Sequence, residues 1–200
     1  MVSKVDICNM ALSMLGNNGN INDIDNPQSD IEKTFSIWYE SVRRIALKKT
    51  APNFARARAL LPLSKYVPEY GYTSAFESRN DCIKVLGVGN LCDINQYSIE
   101  GDYILVDYDA DALPIRYIKD IKDTTKMDVL FVDYFACLLA SKVASDISAN
   151  AQTIQYVEQK AAVLLNNFIS VDRQENKPIR IFESALLSAR QGNKIVRVKK

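Results

Sequence analysis

Residues 97–107 read Tyr97-Ser98-Ile99-Glu100-Gly101-Asp102-Tyr103-Ile104-Leu105-Val106-Asp107. Two β-prone runs flank Glu100-Gly101-Asp102, which has the composition of a hairpin turn. This stretch removes an all-helical fold from consideration. Working outward, residues 82–88 read as another strand, with Gly87 and Gly89 marking a turn or bulge. Residues 115–118 can add one more. Leu60-Leu61-Pro62-Leu63 and residues 66–72 are aromatic and punctuated by proline. A small antiparallel sheet within residues 60–120 is the expectation.

Helical periodicity lies on both sides of it. A first helix is predicted over 4–15, with Ser3 as N-cap and Asp6 as its capping-box partner. Val5, Cys8, Leu12 and Leu15 form its apolar face, and Gly16 supplies the stop. A second helix opens with Asn26 as N-cap, Pro27 in the first position and Asp30 at the positive end of the dipole. Ile31, Phe35, Trp38, Val42 and Ile45 make its core stripe, and Pro52 ends it. A third helix is expected over 126–147, capped by Thr124 or Thr125. Leu130, Tyr134, Leu138 and Val143, with Phe131, Phe135 and Leu139, cover more than one of its faces, so it is buried in a bundle or against another subunit. A fourth, over 153–168, carries Ile154, Val157, Ala161, Leu164, Leu165 and Phe168 on one stripe. The predicted class is α+β: mainly a helical bundle, with the small antiparallel sheet inserted between the second and third long helices and an extended C-terminal arm. The divisions are an N-terminal helical half (1–59), an inserted β domain (60–120), a C-terminal helical half packing on the first (121–170) and a basic docking arm (171–200).

Composition narrows the function. The 200 residues hold 25 basic and 24 acidic side chains, a net charge of +1, which supplies no global field for nucleic acid or an anionic membrane. Residues 173–200 nevertheless carry eight basic and two acidic side chains, so a tail of +6 follows a body of −5. Apolar residues are spread through that tail, and such segments order when they dock. Histidine is absent, which removes Ser-His and Cys-His nucleophiles and histidine metal ligands. Cys8, Cys82, Cys92 and Cys137 form no C-x-x-C pair and read as small buried hydrophobes, not as a zinc site or a disulfide framework. Asp6, Asn9 and Ser13 interrupt any signal-peptide pattern, and no run approaches the roughly 18 apolar residues of a membrane span. The expectation is a reducing, soluble compartment, or carriage outside it within an assembly. Asp107, Asp109 and Asp111 open like a calcium loop, but the sixth and twelfth places hold Ala112 and Ile118 where glycine and glutamate are needed. Glu32 and Glu40, with Asp30, are the only carboxylates that could be advanced as a glycosidase-type pair. No catalytic, cofactor-binding or metal-binding residue is assigned, and the chain is expected not to be an enzyme.

Several pieces then resemble a known family. Ile7-Cys8-Asn9-Met10-Ala11-Leu12 leading to Leu15-Gly16 and then Ile21 to Asp25 resembles the N-terminus of the head-to-tail adaptors of short-tailed phages, also called tail tubular protein A. The resemblance continues through Trp38-Tyr39, Val42-Arg43 and Pro52-Asn53-Phe54-Ala55, and resumes at Leu130-Phe131-Val132-Asp133 and Leu138-Leu139-Ala140. It covers roughly residues 1–170 in pattern. Members commonly have tryptophan before Asn-Phe-Ala, where this chain has Pro52. The resemblance implies a structural virion protein at the head-tail junction, assembled in the host cytoplasm. Its copies form a ring, typically of twelve, below the portal protein. The ring extends the channel for DNA ejection and carries the tail nozzle or the next ring. Packaged DNA passes without sequence-specific binding, and no membrane is involved. The implied portal- or neighbour-binding arm comprises Lys177, Arg180, Ile181, Phe182, Arg190, Lys194, Arg197, Lys199 and Lys200, and Asn53, Phe54 and Ala55 are the family-like structural motif. Two other readings stay open: a tail-associated peptidoglycan hydrolase, and a module contacting DNA through the basic arm.

Overall fold

The computed structural model describes residues 2–90, 92–147 and 149–175. The arm residues 177–200 lie outside that range. The chain is α+β, and its described residues form four helices and two antiparallel sheets of three strands each.

Helix α1 (Lys4–Met14) begins with the expected capping box: Ser3 Oγ accepts the Asp6 N–H, and Asp6 accepts the Ser3 N–H at 2.8 Å. Asp6 is held below the usual carboxylate range by those two bonds. Gly16, with φ of +71°, ends the helix in the left-handed region. Asn9 then clamps the following loop, accepting the Ile21 N–H at 2.8 Å and donating to the Ile21 carbonyl at 3.0 Å.

Helix α2 (Asp30–Thr50) does not start at Asn26. Its cap is Ser29, paired in a capping box with Glu32. A reciprocal box satisfies two otherwise orphaned donors, while Asn26 belongs to a turn built on the Asp23 carboxylate. The buried face is Phe35, Tyr39, Val42 and Ala46, with Arg43 and Leu47 beside them. It is rotated from the expected stripe, and Ile45 is exposed.

Helix α3 (Val129–Val143) also starts later than expected. Asp128 caps it by accepting from the Leu130 and Phe131 N–H groups, and Thr124–Lys126 forms a separate 3-10 turn. Ten of its fifteen residues are buried. The cover comes from α1, α2 and α4 (Ala151–Gln174) of the same chain. The apolar third helix is therefore the centre of a bundle and needs no second subunit to bury it. Tyr39 meets Phe135 edge-on at 5.2 Å, and Phe131 meets Phe168 of α4 at 5.8 Å. Helix α4 keeps the expected stripe and extends it by one turn to a buried Asp172. The first residues assigned to a separate arm, 171–174, are thus helix.

Between α2 and α3 lies the β module. Instead of one sheet there are two. The first has the order β1 (Arg56–Pro62), β6 (Ala112–Lys119), β3 (Cys82–Val88); the second has β2 (Ser74–Glu77), β5 (Tyr103–Val106), β4 (Tyr97–Glu100). Strand β3 has the limits read from the sequence. Gly101, at φ of +57°, sits in the two-residue turn that joins β4 to β5. Gly87 lies at a bulge, and a Cβ there would come within 2.5 Å of the Cys92 side chain, so only glycine fits. Leu61, Phe76, Val88, Ile104, Val106, Leu113, Ile115 and Tyr117 form a core between the two sheets, separate from the helical core. Ile118, on the opposite face of β6, belongs to the helical core and joins the two layers.

The module's return to the bundle is fixed by a buried cation. The Arg43 side chain is fully inaccessible, bonding Asp120 Oδ1 at 2.5 Å, the Ile121 carbonyl at 2.6 Å and Glu40 at 2.7 Å. Burial works against the charge, and the bonds to Asp120 and Glu40 outweigh it, so the guanidinium is held above its ordinary pKa. Removing one partner of a buried pair strands the other. Arg43→Ala should therefore cost about 3–5 kcal/mol of unfolding free energy. Glu40→Ala leaves two N–H groups of the guanidinium without that acceptor while Asp120 and the Ile121 carbonyl still hold the third nitrogen, so it should cost less, about 1–3 kcal/mol. Urea unfolding of both variants reads the contrast, and equal losses would mean that the guanidinium is not the anchor.

Candidate functional site

The module's other end is tied by the motif that the sequence singled out. Helix α2 closes on Ala51 in the left-handed conformation (φ of 48°), and Pro52 prevents its continuation. Asn53–Ala55 is a single 3-10 turn. The Asn53 N–H donates to Asp172 Oδ1 at 2.9 Å, and its side-chain amide donates to the Asp172 carbonyl at 2.5 Å. Phe54 packs edge-on against Phe131 at 5.0 Å, and Ala55 is buried. Asn53, Phe54 and Ala55 thus bind together the end of α2, the start of β1, the first turn of α3 and the last turns of α4.

A cavity of about 240 Å³ opens at this junction. Phe54, Phe168 and Val171 give it apolar walls, and Lys126, Asp172 and Glu175 give it charge. It is smaller than the roughly 300–1,000 Å³ of ordinary small-molecule sites. Burial raises the Asp172 pKa above the ordinary carboxylate value, the Asn53 N–H and Arg56 lower it, and Glu175 and Asp128 raise it again. Arg56 stands 4.0 Å from the other Asp172 oxygen. The Asp128 carboxylate, also at the cavity, is spent on capping α3. The notch is suited to receiving one side chain, apolar toward the phenylalanines or cationic toward Glu175. Glu175, the last described residue, lies on its rim.

The carboxylates that could have made a hydrolase pair do other work. Glu32 accepts backbone N–H bonds from Asn22, Gln28 and Ser29 at 3.0, 2.8 and 3.0 Å. Those bonds bring its pKa from 4.5 down to about 2. Glu40 is bound to Arg43, and Asp30 pairs with Lys33 on the surface. Eight residues of helix separate Glu32 from Glu40 by about 12 Å along the axis. Glycosidase pairs stand roughly 5–9.5 Å apart. The side chain of Asp107 accepts the Thr73 N–H at 2.9 Å. No group of three or more His, Cys, Asp or Glu residues that could hold a metal occurs among the described residues. The four cysteines are free, and burial pushes the Cys8 and Cys137 thiols up to about 12 and about 11. No helix among the described residues is long and apolar enough to cross a membrane.

Asp172 escaped the sequence reading, and Arg43 entered it only through the resemblance and not as a buried ion, though each left a signal. Asp172 continues the α4 stripe four residues beyond Phe168, and Arg43 interrupts the buried face of α2 between Val42 and Ala46. A charge on an apolar face is a charge with a partner. No protein-family model matches the chain, and no match to a curated protein was found.

Two measurements probe these groups. Asp172→Asn keeps an oxygen for the Asn53 N–H and removes the buried charge. Asp172→Ala strands that N–H and should cost about 1–3 kcal/mol. Because the folded pKa of Asp172 is raised, its charge opposes folding once the pH exceeds that value. The Asn variant should therefore match or exceed the parent at pH 7 and lose that advantage in acid; equal losses in both variants would contradict this. Glu32 has the opposite sign: its folded pKa is lowered, so its contribution is complete above pH 4.5 and disappears as the pH falls toward 2. Glu32→Gln should flatten that part of the acid-unfolding profile, and an unchanged slope would refute the assignment.

Proposed function

We propose that this chain is a ring-forming head-to-tail adaptor of a short-tailed phage. In this reading it binds below the portal, lengthens the DNA channel and carries the tail nozzle or the next ring. The observation that carries the proposal is the junction at Asn53-Phe54-Ala55. The residues by which the chain resembles the adaptor family are the ones that do structural work. Asn9 clamps Ile21, and Phe54 locks onto Phe131. Val42-Arg43 anchors the β module's return through Asp120. A rigid body with a notch at the root of a basic, partly apolar arm suits a protein whose role is to join others. The arm would reach the portal or a neighbouring copy, with Lys177, Arg180, Ile181, Phe182, Arg190, Lys194, Arg197, Lys199 and Lys200 as its contacts.

The apolar third helix lends this reading no support, since one chain covers it. We rank the hydrolase reading below the adaptor because Glu32 and Glu40 are committed to a cap and to Arg43.

The test is the native mass of the purified chain, alone and mixed with the portal ring of the same phage, by sedimentation velocity. The expected outcome is a monomer or small oligomer that converts to a discrete ring-sized complex on the portal. Reversing Arg190, Lys194 and Arg197 to glutamate should weaken that attachment and leave the body folded. A chain that ignores the portal would overturn the proposal.

A further inference from the structure

The two sheets of the β module carry opposite charge. The strands of the first hold Arg56, Arg58, Lys84, Arg116 and Lys119 and no acidic residue. The register places Arg58 directly opposite Arg116, a like-charge cross-strand pair that costs stability. Ala57, Ala59 and Leu61 point into the module core, so Arg58 and Arg116 occupy the other face. That face is covered by helices at Ile118 and emerges beyond it, where Leu60 is 68% exposed. Arg116 Nε is buried without a hydrogen-bond partner. Among the described residues, Arg58, Lys84 and Arg116 enter no ion pair.

The second sheet is the complement. Residues 97–111 contain Glu100, Asp102, Asp107, Asp109 and Asp111 and no basic residue. All five are exposed, and none is in an ion pair among the described residues. Ile104 points into the core, so its neighbour Tyr103 points away. Glu77 and Glu100 lie in register on either side of Tyr103. Tyr66 stacks on Tyr103 at 5.0 Å, and nearby Val67 and Tyr70 are 69% and 87% exposed.

Both sheets turn their inner faces to one shared core, so the basic and the acidic faces point away from each other. One molecule cannot use the first to neutralise the second. We propose that they are the two halves of a contact between copies of this chain. The Arg58–Arg116 face of one β module docks on the Glu77–Tyr103–Glu100 face of the next. Guanidinium forks match carboxylates and also stack on tyrosine rings. Leu60 supplies an apolar patch to meet Val67. Such a contact is heterologous: each copy uses two different surfaces, and repetition closes a ring or extends a filament. The inference rests on the adaptor reading only for closure into a ring; the contact itself needs no portal.

The experiment uses the full chain in sedimentation velocity over rising concentration, at low and high salt. One variant carries Arg58→Glu and Arg116→Glu, and the other Glu77→Lys and Glu100→Lys, with circular dichroism to check folding. The wild type should associate with rising concentration and less so at high salt, because exposed charges are screened. Each variant alone should remain monomeric, since it presents like charge on both faces. An equimolar mixture should associate again, because alternating copies are complementary. If a reversal variant does not fold, Arg58→Gln and Glu100→Gln replace it, each expected to weaken association by about tenfold or more. A wild type that stays monomeric throughout, a variant that associates as the parent does, or a mixture that does not recover overturns the contact. Reversal variants that still form rings on the portal would sink this contact and leave the adaptor reading standing. Solution association that obeys the charge rules, with no response to the portal, would do the reverse.

Discussion

A guanidinium with no access to water holds this structure together. Arg43 sits on the buried side of α2, and its partners are the first residues after β6 and a carboxylate one turn back on its own helix. A lone cation in that position would be prohibitive. Its presence obliges Asp120 and Ile121 to return to one place, which fixes where the inserted strands rejoin the bundle. Asn53 and Asp172 do the same where the chain leaves the bundle, with a backbone N–H and a buried carboxylate in place of an ion pair. Polar groups that demand partners, and not apolar contact alone, thus set the position of the β module on the helices.

The bundle itself is simpler. Helix α3 is apolar nearly all round because three other helices surround it. That leaves the helical body with its main apolar surface satisfied, while exposed Tyr66 and Tyr70 lie in the β module and exposed Tyr156 on α4.

Elements whose local signals were unambiguous were legible in the sequence. Ser3 and Asp6 declared the start of α1, Glu100-Gly101-Asp102 declared a hairpin, and the run from Cys82 to Val88 declared β3. Where two signals competed, chemistry beyond simple caps decided. Asn26-Pro27 looked like a start, but Glu32 can close a reciprocal box only with Ser29. Strand β1 was missed because Arg56-Ala57-Arg58-Ala59 has little β-propensity. It is a strand because its alanines fit the module core and β6 supplies the ladder. Of the candidate site, Asn53-Phe54-Ala55 was legible as a motif. Its partner Asp172 was not, because 119 residues separate them and only the tertiary fold brings them together.

The β module has its own core and is attached at both ends by polar bonds to different helices, α4 on one side and α2 on the other. A load on its tip would run along two separate paths into the bundle. One path ends at Asp172 in the last turns of α4, and the other at Arg43 in α2. The insertion is thus held by two bolts, each in a different helix, so neither attachment alone sets its position on the bundle.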